Sequence, residues 1–364
     1  MNTVSLAPEP KATTKHTLCG YAWGDVQSAL LRAIGNGDMA RAQRWGAELV
    51  CSEQGLGRLE AALLHAWALY VGPAYPGWCN MWYSAINLMR TLWGRSGGDT
   101  KAIRNTPTVR QVVAESIAAL VLAGKKPLPT LPTAADCFKE AEGMRIRLRA
   151  GGAVGDQVVT RRIWSAANDG GDLKTIGNEL EAAIRANQTP RVLFWIIWFF
   201  TLDQQTDAPP AKERGPSSIS VKARKSLLWF LIAMLKELAN DYAFLPTDER
   251  AALFGTLEVS WPKLGQKGRK DTVIAIALCI QEHMVRRSGG MMMAAPASIP
   301  PLGAIRDAVT MIDVMYSSIG EEARRFMLEQ PKLGGIAGTT ATAQDPQRVR
   351  LSSNDKLALA YSTR

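Results

Sequence analysis

A run of nine apolar residues at 192–200, Val-Leu-Phe-Trp-Ile-Ile-Trp-Phe-Phe, constrains this chain more than any other feature. It falls far short of the roughly 20 residues a bilayer span needs. Wound as a helix it is apolar on every side, so it must be covered all round, either by its own domain or by a partner. Trp195, Trp198 and Phe199 lie at its centre. Core packing is one reading of them. A subunit interface, where large aromatic residues serve as anchors, is the other.

The rest of the chain repeats the helical theme. Val26, Leu30 and Ile34 recur every four residues with Ala29 and Ala33 beside them, which is one apolar face of a helix. Asp25 is expected as its N-cap. Gly35-Asn-Gly-Asp38 supplies a stop, a turn and the next N-cap. Further helices are expected over 39–51, 57–71, 79–93, 108–122, 222–241 and 271–284, with one or two more in 302–330. Regions 203–220 and 261–270 read as exposed loops, the second strongly basic.

A shift of 150 positions brings two helical pairs into register without a gap. Leu30 meets Leu180, Ala33-Ile34 meets Ala183-Ile184, Arg41 meets Arg191, and Trp45 meets Trp195. A polar break follows the Ala-Ile step in both. Downstream, 222–241 corresponds loosely to 79–93, and 271–284 to 108–122, although Ile117 then meets polar Gln281. The expected fold class is therefore all-α, with two related multi-helix units in tandem, roughly 25–125 and 175–288. The domain reading is a flexible arm at 1–20, a helical unit at 21–142, a basic junction at 143–172, a second helical unit at 173–288, a linker with C-terminal helices at 289–330, and a flexible tail at 331–364. Within the junction, Met144-Arg-Ile-Arg-Leu-Arg149 alternates strictly and 157–164 follows after three glycines. This pattern suits a short basic β-hairpin, or the end of a helix that began near Ala134.

The chain carries 43 Lys+Arg against 33 Asp+Glu, a formal charge of +10, which favours a polyanionic partner. Five cysteines without a C-x-x-C pair argue against a disulfide framework or zinc knuckle, and suggest a reducing, intracellular compartment. There is no phosphate-binding G-x-x-x-x-G-K-[ST] loop and no H-E-x-x-H. With His16, His65 and His283 alone, a histidine metal site or triad is hard to assemble. His65 lies among apolar neighbours and suits a buried structural role. No cofactor, metal or small-molecule substrate is expected, and the chain reads as non-enzymatic.

Basic groups remain as the carriers of function. Arg145, Arg147, Arg149, Arg161 and Arg162 surround the junction. Lys222, Arg224 and Lys225 open an expected helix, where cations oppose the helix dipole and a bound phosphate would offset that cost. Lys263, Lys267, Arg269 and Lys270 occupy the basic loop. Such side chains displace counterions from a phosphate backbone, an attraction indifferent to base sequence. A solvated surface is the alternative.

Ser28-Ala-Leu30, then Ile34 to Asp38, then Trp45, then an apolar helix over 59–70 before Gly72 and Pro73, resemble the helical C-terminal collar of RarA/MgsA-type clamp-loader-like ATPases. The likeness covers residues 28–76. It implies an oligomerising, DNA-engaging helical module connected with DNA replication. The ATPase domain with its phosphate loop has no counterpart here, so ATP hydrolysis is not implied. The expected function is a self-associating helical module that contacts nucleic acid through Arg and Lys. The rival is a structural assembly protein, such as a virion or shell component, held by Trp-rich interfaces and extended arms.

Overall fold

The computed structural model describes residues 16–52, 55–133, 157, 159–205, 208–288, 299–310 and 312–329. Among them the chain is all-α, and no strand is formed. The helices are α1 (Trp23–Gly35), α2 (Met39–Cys51), α3 (Gly55–Tyr70), α4 (Trp78–Arg95), α5 (Thr100–Asn105) and α6 (Pro107–Leu122). Then come α7 (Gly171–Arg185), α8 (Thr189–Leu202), α9 (Val221–Arg224), α10 (Leu227–Asp241), α11 (Thr247–Ser260), α12 (Gln266–Ser288), α13 (Leu302–Asp307) and α14 (Ile312–Glu329).

The helices divide between two compact units that interleave along the chain. Of the described residues, unit 1 gathers those within 1–59, 88–121 and 306–364, and unit 2 those within 60–87 and 122–305. In unit 1, α2 is flanked by α1, α6 and α14. The Gln43 amide donates to the Ala114 carbonyl of α6 at 2.7 Å, and Arg44 pairs with Glu322 of α14 at 2.5 Å. Gly46 lets the helices close here, because a Cβ at that position would sit 2.2 Å from Ile117 Cδ1. Of the expected N-terminal arm, residues 16–20 fold onto α2. The Leu18 and Cys19 N–H groups donate to Ser52 Oγ and Glu48 Oε1, each at 2.9 Å. Residues 1–15 and the expected tail lie outside the described residues.

In unit 2, α8 is the central element, wrapped by α7, α10 and α12. All nine residues of the 192–200 run are buried. Phe199 stacks on Phe230 of α10, with ring centroids 6.1 Å apart. His65 of α3, half-buried, meets the buried Asp271 of α12 at 2.9 Å.

The α1–α2 and α7–α8 turns have the same hydrogen-bonding geometry at an offset of 150 residues. In the first, Asn36, Gly37 and Asp38 N–H donate to Arg32, Ile34 and Ala33 carbonyls at 2.9, 3.2 and 2.9 Å. In the second, Ala186, Asn187 and Gln188 N–H donate to Ala182, Ile184 and Ala183 at 2.9, 3.2 and 2.9 Å. Each is a Schellman closure, which needs a left-handed residue just past the helix. Gly37 (φ 73°) and Asn187 (φ 54°) hold that place.

Several expected elements differ from what forms. The N-cap of α1 is Ala22, and Asp25 lies in the first turn, where its charge still faces the positive helix end. The single helix expected over 222–241 is broken, because the Ser226 hydroxyl accepts from Leu228 N–H at 3.2 Å and starts α10 anew. The basic loop expected at 261–270 is a loop only to Gly265, since α12 begins at Gln266. Trp261 and Leu264 are buried and pin the turn before it. Helix α11 was not anticipated, although Pro246 with Asp248 and Glu249 in the first turn is an N-terminal signature. At the junction, Val159–Ile163 form a π-helical turn, and the alternating stretch 144–149 lies outside the described residues.

Candidate nucleic-acid interface

The cations singled out in the sequence have different fates. Arg145, Arg147 and Arg149 lie outside the described residues. Arg162 is held by Glu237 at 3.2 Å and Asp241 at 2.6 Å, two carboxylates one turn apart on α10. Its neighbour Arg161 is exposed. Arg224 is tied to Glu213 at 2.6 Å, and Lys263 to Glu60 at 2.9 Å. Arg269 turns inward, donating from Nε to the Trp261 carbonyl at 3.1 Å, with its guanidinium 5.0 Å above the Trp261 ring. Burial holds it below the ordinary arginine value, against the charge of Asp203. A cation already paired or buried has little charge left for a phosphate. Lys222, Lys225, Lys267 and Lys270 form no ion pair among the described residues. The first three are exposed and Lys270 is half-buried.

Lys222 and Lys225 border an open groove in unit 2, and Lys212 joins them there. The groove encloses ≈ 970 Å³ and runs between the 208–213 loop and the segment 220–227. Its carboxylates are engaged. Asp203 accepts from the Ser226 hydroxyl at 2.9 Å and Leu227 N–H at 2.7 Å, so it stands at the start of α10. This carboxylate offsets the dipole there, the role the sequence suggested for a bound phosphate. Glu213 is the partner of Arg224. Three exposed lysines are left around the rim, with no carboxylate paired to them among the described residues.

The loop carrying Lys212 is fixed by one buried residue. Asp169 Oδ1 accepts from Lys212 N–H at 2.8 Å and from Arg214 at 2.9 Å. Its Oδ2 accepts from Ser165 N–H at 2.8 Å and from Arg214 at 2.5 Å. Burial raises the Asp169 carboxyl, but the Arg214 guanidinium and the two backbone N–H groups outweigh it and hold the value below the usual carboxylate range. Gly170 N–H donates to the Pro210 carbonyl at 2.9 Å, and a Cβ on Gly170 would meet Pro209 at 2.7 Å. Gly215 is similarly required, since a Cβ there would lie 2.9 Å from Arg224 Cα and Trp229 Nε1.

Lys212, Asp169 and Arg214 are absent from the residues marked by sequence reasoning. Lys212 is separated from Arg214 by Glu213 in a proline-rich loop, so the mixed charges escape a search for basic clusters. Trp195, Trp198 and Phe199, marked as interface candidates, are buried inside unit 2, at 0%, 5% and 1% exposure. The covering that the apolar run requires is supplied within the unit. Among the described residues, no group of three His, Cys, Asp or Glu side chains is placed to hold a metal ion, and no helix is long and apolar enough to cross a membrane. The cysteines at 19, 51, 79 and 279 are buried, and burial pushes the Cys51 thiol up to about 12. No family model matches the chain, and neither does any curated protein or solved structure.

Proposed function

We propose that this chain is a non-enzymatic, self-associating helical module that contacts nucleic acid, with Lys212, Lys222 and Lys225 around the unit 2 groove as its principal phosphate ligands. The observation that carries the reading is the sorting of cations. Arg162, Arg224, Lys263 and Arg269 are neutralised or covered, whereas three lysines on one groove are not paired among the described residues. The groove is open to solvent. The likeness of residues 28–76 to a DNA-engaging collar points the same way. Separately, the matched turn geometry of the two helical hairpins is what supports the reading of a duplicated helical pair.

Fluorescence anisotropy with a labelled DNA duplex, run at several salt concentrations, tests the site. Three phosphate contacts give a slope of log K against log salt of about −2.7. Lys212→Gln, Lys222→Gln and Lys225→Gln together bring the slope near zero. A triple variant that binds like the parent removes the groove from the function. Light scattering after size exclusion, with and without DNA, tests self-association. A monomer under both conditions defeats that part. Assembly indifferent to DNA transfers the chain to the structural-protein reading.

A further inference from the structure

Unit 2 has a second cavity with the opposite electrostatic character. It encloses ≈ 460 Å³, a size typical of ligand pockets. Three segments build it: the 72–77 turn leading into α4, the 243–245 loop leading into α11, and the later turns of α12. Each is well fixed. Trp67 Nε1 donates to the Tyr75 carbonyl at 3.1 Å, and Tyr75 N–H to the Gly72 carbonyl at 3.2 Å. On the other side Ala243 (φ 49°) and Leu245 (φ 62°) adopt a left-handed backbone that L residues rarely take. Arg250 holds this loop by donating to the Phe244 and Leu245 carbonyls at 3.3 and 3.0 Å.

The walls are apolar and aromatic, with Tyr75, Pro76, Met81, Phe244 and Leu245 among them, and Glu249 adds a charge. Glu249 is half-buried and meets no cation among the described residues. Other groups at this end are already engaged. Glu282 is paired with Lys126 at 2.5 Å, and a His283 ring nitrogen faces the Tyr242 carbonyl at 3.2 Å. Gly77 brings its backbone close to the carboxylate, since a Cβ there would lie 3.0 Å from Glu249 Oε2. The Tyr75 hydroxyl is raised by burial and then by Glu249, so it stays neutral.

We propose that this cavity binds a primary ammonium group on an alkyl stem, with Glu249 taking the charge and the walls around Tyr75, Met81 and Phe244 taking the methylenes. A carboxylate beside apolar surfaces is best satisfied by a cation that brings its own donors. Aromatic rings favour the same charge. A phosphate is repelled by Glu249, and a neutral ligand leaves Glu249 without a counter-charge. A lysine side chain of a protein and a free polyamine share the required chemistry. The cavity lies apart from the lysine groove, and the proposal stands whether or not DNA binds there.

Isothermal titration calorimetry on the full chain decides the matter, with 1,4-diaminobutane, Nα-acetyl-lysine methylamide and 1-butanol as probes. Saturable binding of an ammonium probe is expected, with 1-butanol silent. Glu249→Gln weakens it by about tenfold or more, because the charge-assisted bond is lost. Glu249→Asp, which keeps the charge, retains most of it. Binding of the diamine alone identifies a polyamine site, and binding of the lysine derivative alone identifies a side-chain site. No saturable binding of either amine overturns the proposal, as does a folded Glu249→Gln chain, verified by circular dichroism, that binds both as the parent does.

Discussion

The α1–α2 pair of unit 1 and the α7–α8 pair of unit 2 share a turn and differ in almost everything packed on it. Leu30 and Leu180, Ala33 and Ala183, and Ile34 and Ile184 are buried alike. The second helices diverge. Helix α2 buries Trp45 and Leu49 but also Glu48, which accepts from Cys19 N–H at 2.9 Å and from Arg44 at 3.1 Å. Helix α8 carries apolar side chains all round its central turns. The turn and the Leu-Ala-Ile face therefore fix the geometry of a pair. The composition of its second helix follows what the unit lays against it. In unit 1 that is the N-terminal segment and α14, which supply polar partners. In unit 2 it is α7, α10 and α12, which supply apolar ones.

The largest test of this difference is truncation of the equivalent tryptophans. Trp195 is fully buried among apolar rings, so Trp195→Ala costs about 3–5 kcal/mol through lost transfer energy and an unfilled cavity. Trp45 packs edge-on to Tyr21 at 5.4 Å and beneath Arg44 at 5.6 Å, both half-buried, so water reaches part of the gap. Trp45→Ala is expected at or below the low end of that range, about 3 kcal/mol. Urea denaturation reads both. Equal losses break the claim that the two helices sit in different surroundings.

The mismatch of Ile117 with Gln281 gives a second, smaller test. In unit 1, Asp38 caps its own helix, accepting from Arg41 N–H at 3.1 Å. In unit 2 the equivalent Gln188 makes no side-chain cap. The buried Gln281 of α12 stands in: with its amide oriented so that the oxygen faces the helix start, that oxygen accepts from Gln188 and Thr189 N–H at 3.2 and 3.3 Å. Helix starts need such an acceptor, and its loss costs about 1 kcal/mol. Gln281→Ile, which copies unit 1, lowers stability by about 1–2 kcal/mol because the half-buried Thr189 N–H at the helix start loses its acceptor. Adding Gln188→Asp returns about 1 kcal/mol by restoring the cap. If the double variant is no more stable than the single one, the two caps are not equivalent.

Much of this fold was legible because helix faces and stops are local. The 3.6-residue period marks α1 through its buried Val26, Leu30 and Ile34, and Gly37 marks its stop. The burial of the 192–200 run was legible too, but whether a partner or the chain itself covers it depends on contacts with α10 and α12, distant in sequence. The candidate site was read only in part. Lys222 and Lys225 were visible as a charge cluster. The pairing of Arg162 with Glu237 and Asp241 spans more than 70 residues, and no local pattern reveals that this charge is satisfied. Asp169 escaped for the same reason: its partners Lys212 and Arg214 lie on a loop more than 40 residues away.

The smallest expected effect concerns the left-handed residue of each turn. Gly37 adopts φ 73° at no steric cost, whereas Asn187 does so at φ 54° with a side chain that tolerates it imperfectly. Gly37→Ala therefore costs about 1 kcal/mol, the usual penalty for a Cβ in this region, although open space surrounds the position. Asn187→Gly changes stability by only a few tenths of a kcal/mol, because relief of φ strain is offset by the greater freedom of glycine in the unfolded chain. Thermal unfolding of the two variants beside the parent measures both. Gly37→Asn sharpens the comparison further, since it gives the first turn the residue of the second. It should fall between the parent and Gly37→Ala. If it is instead as damaging as alanine, the two turns impose different backbone demands despite identical hydrogen-bond lengths.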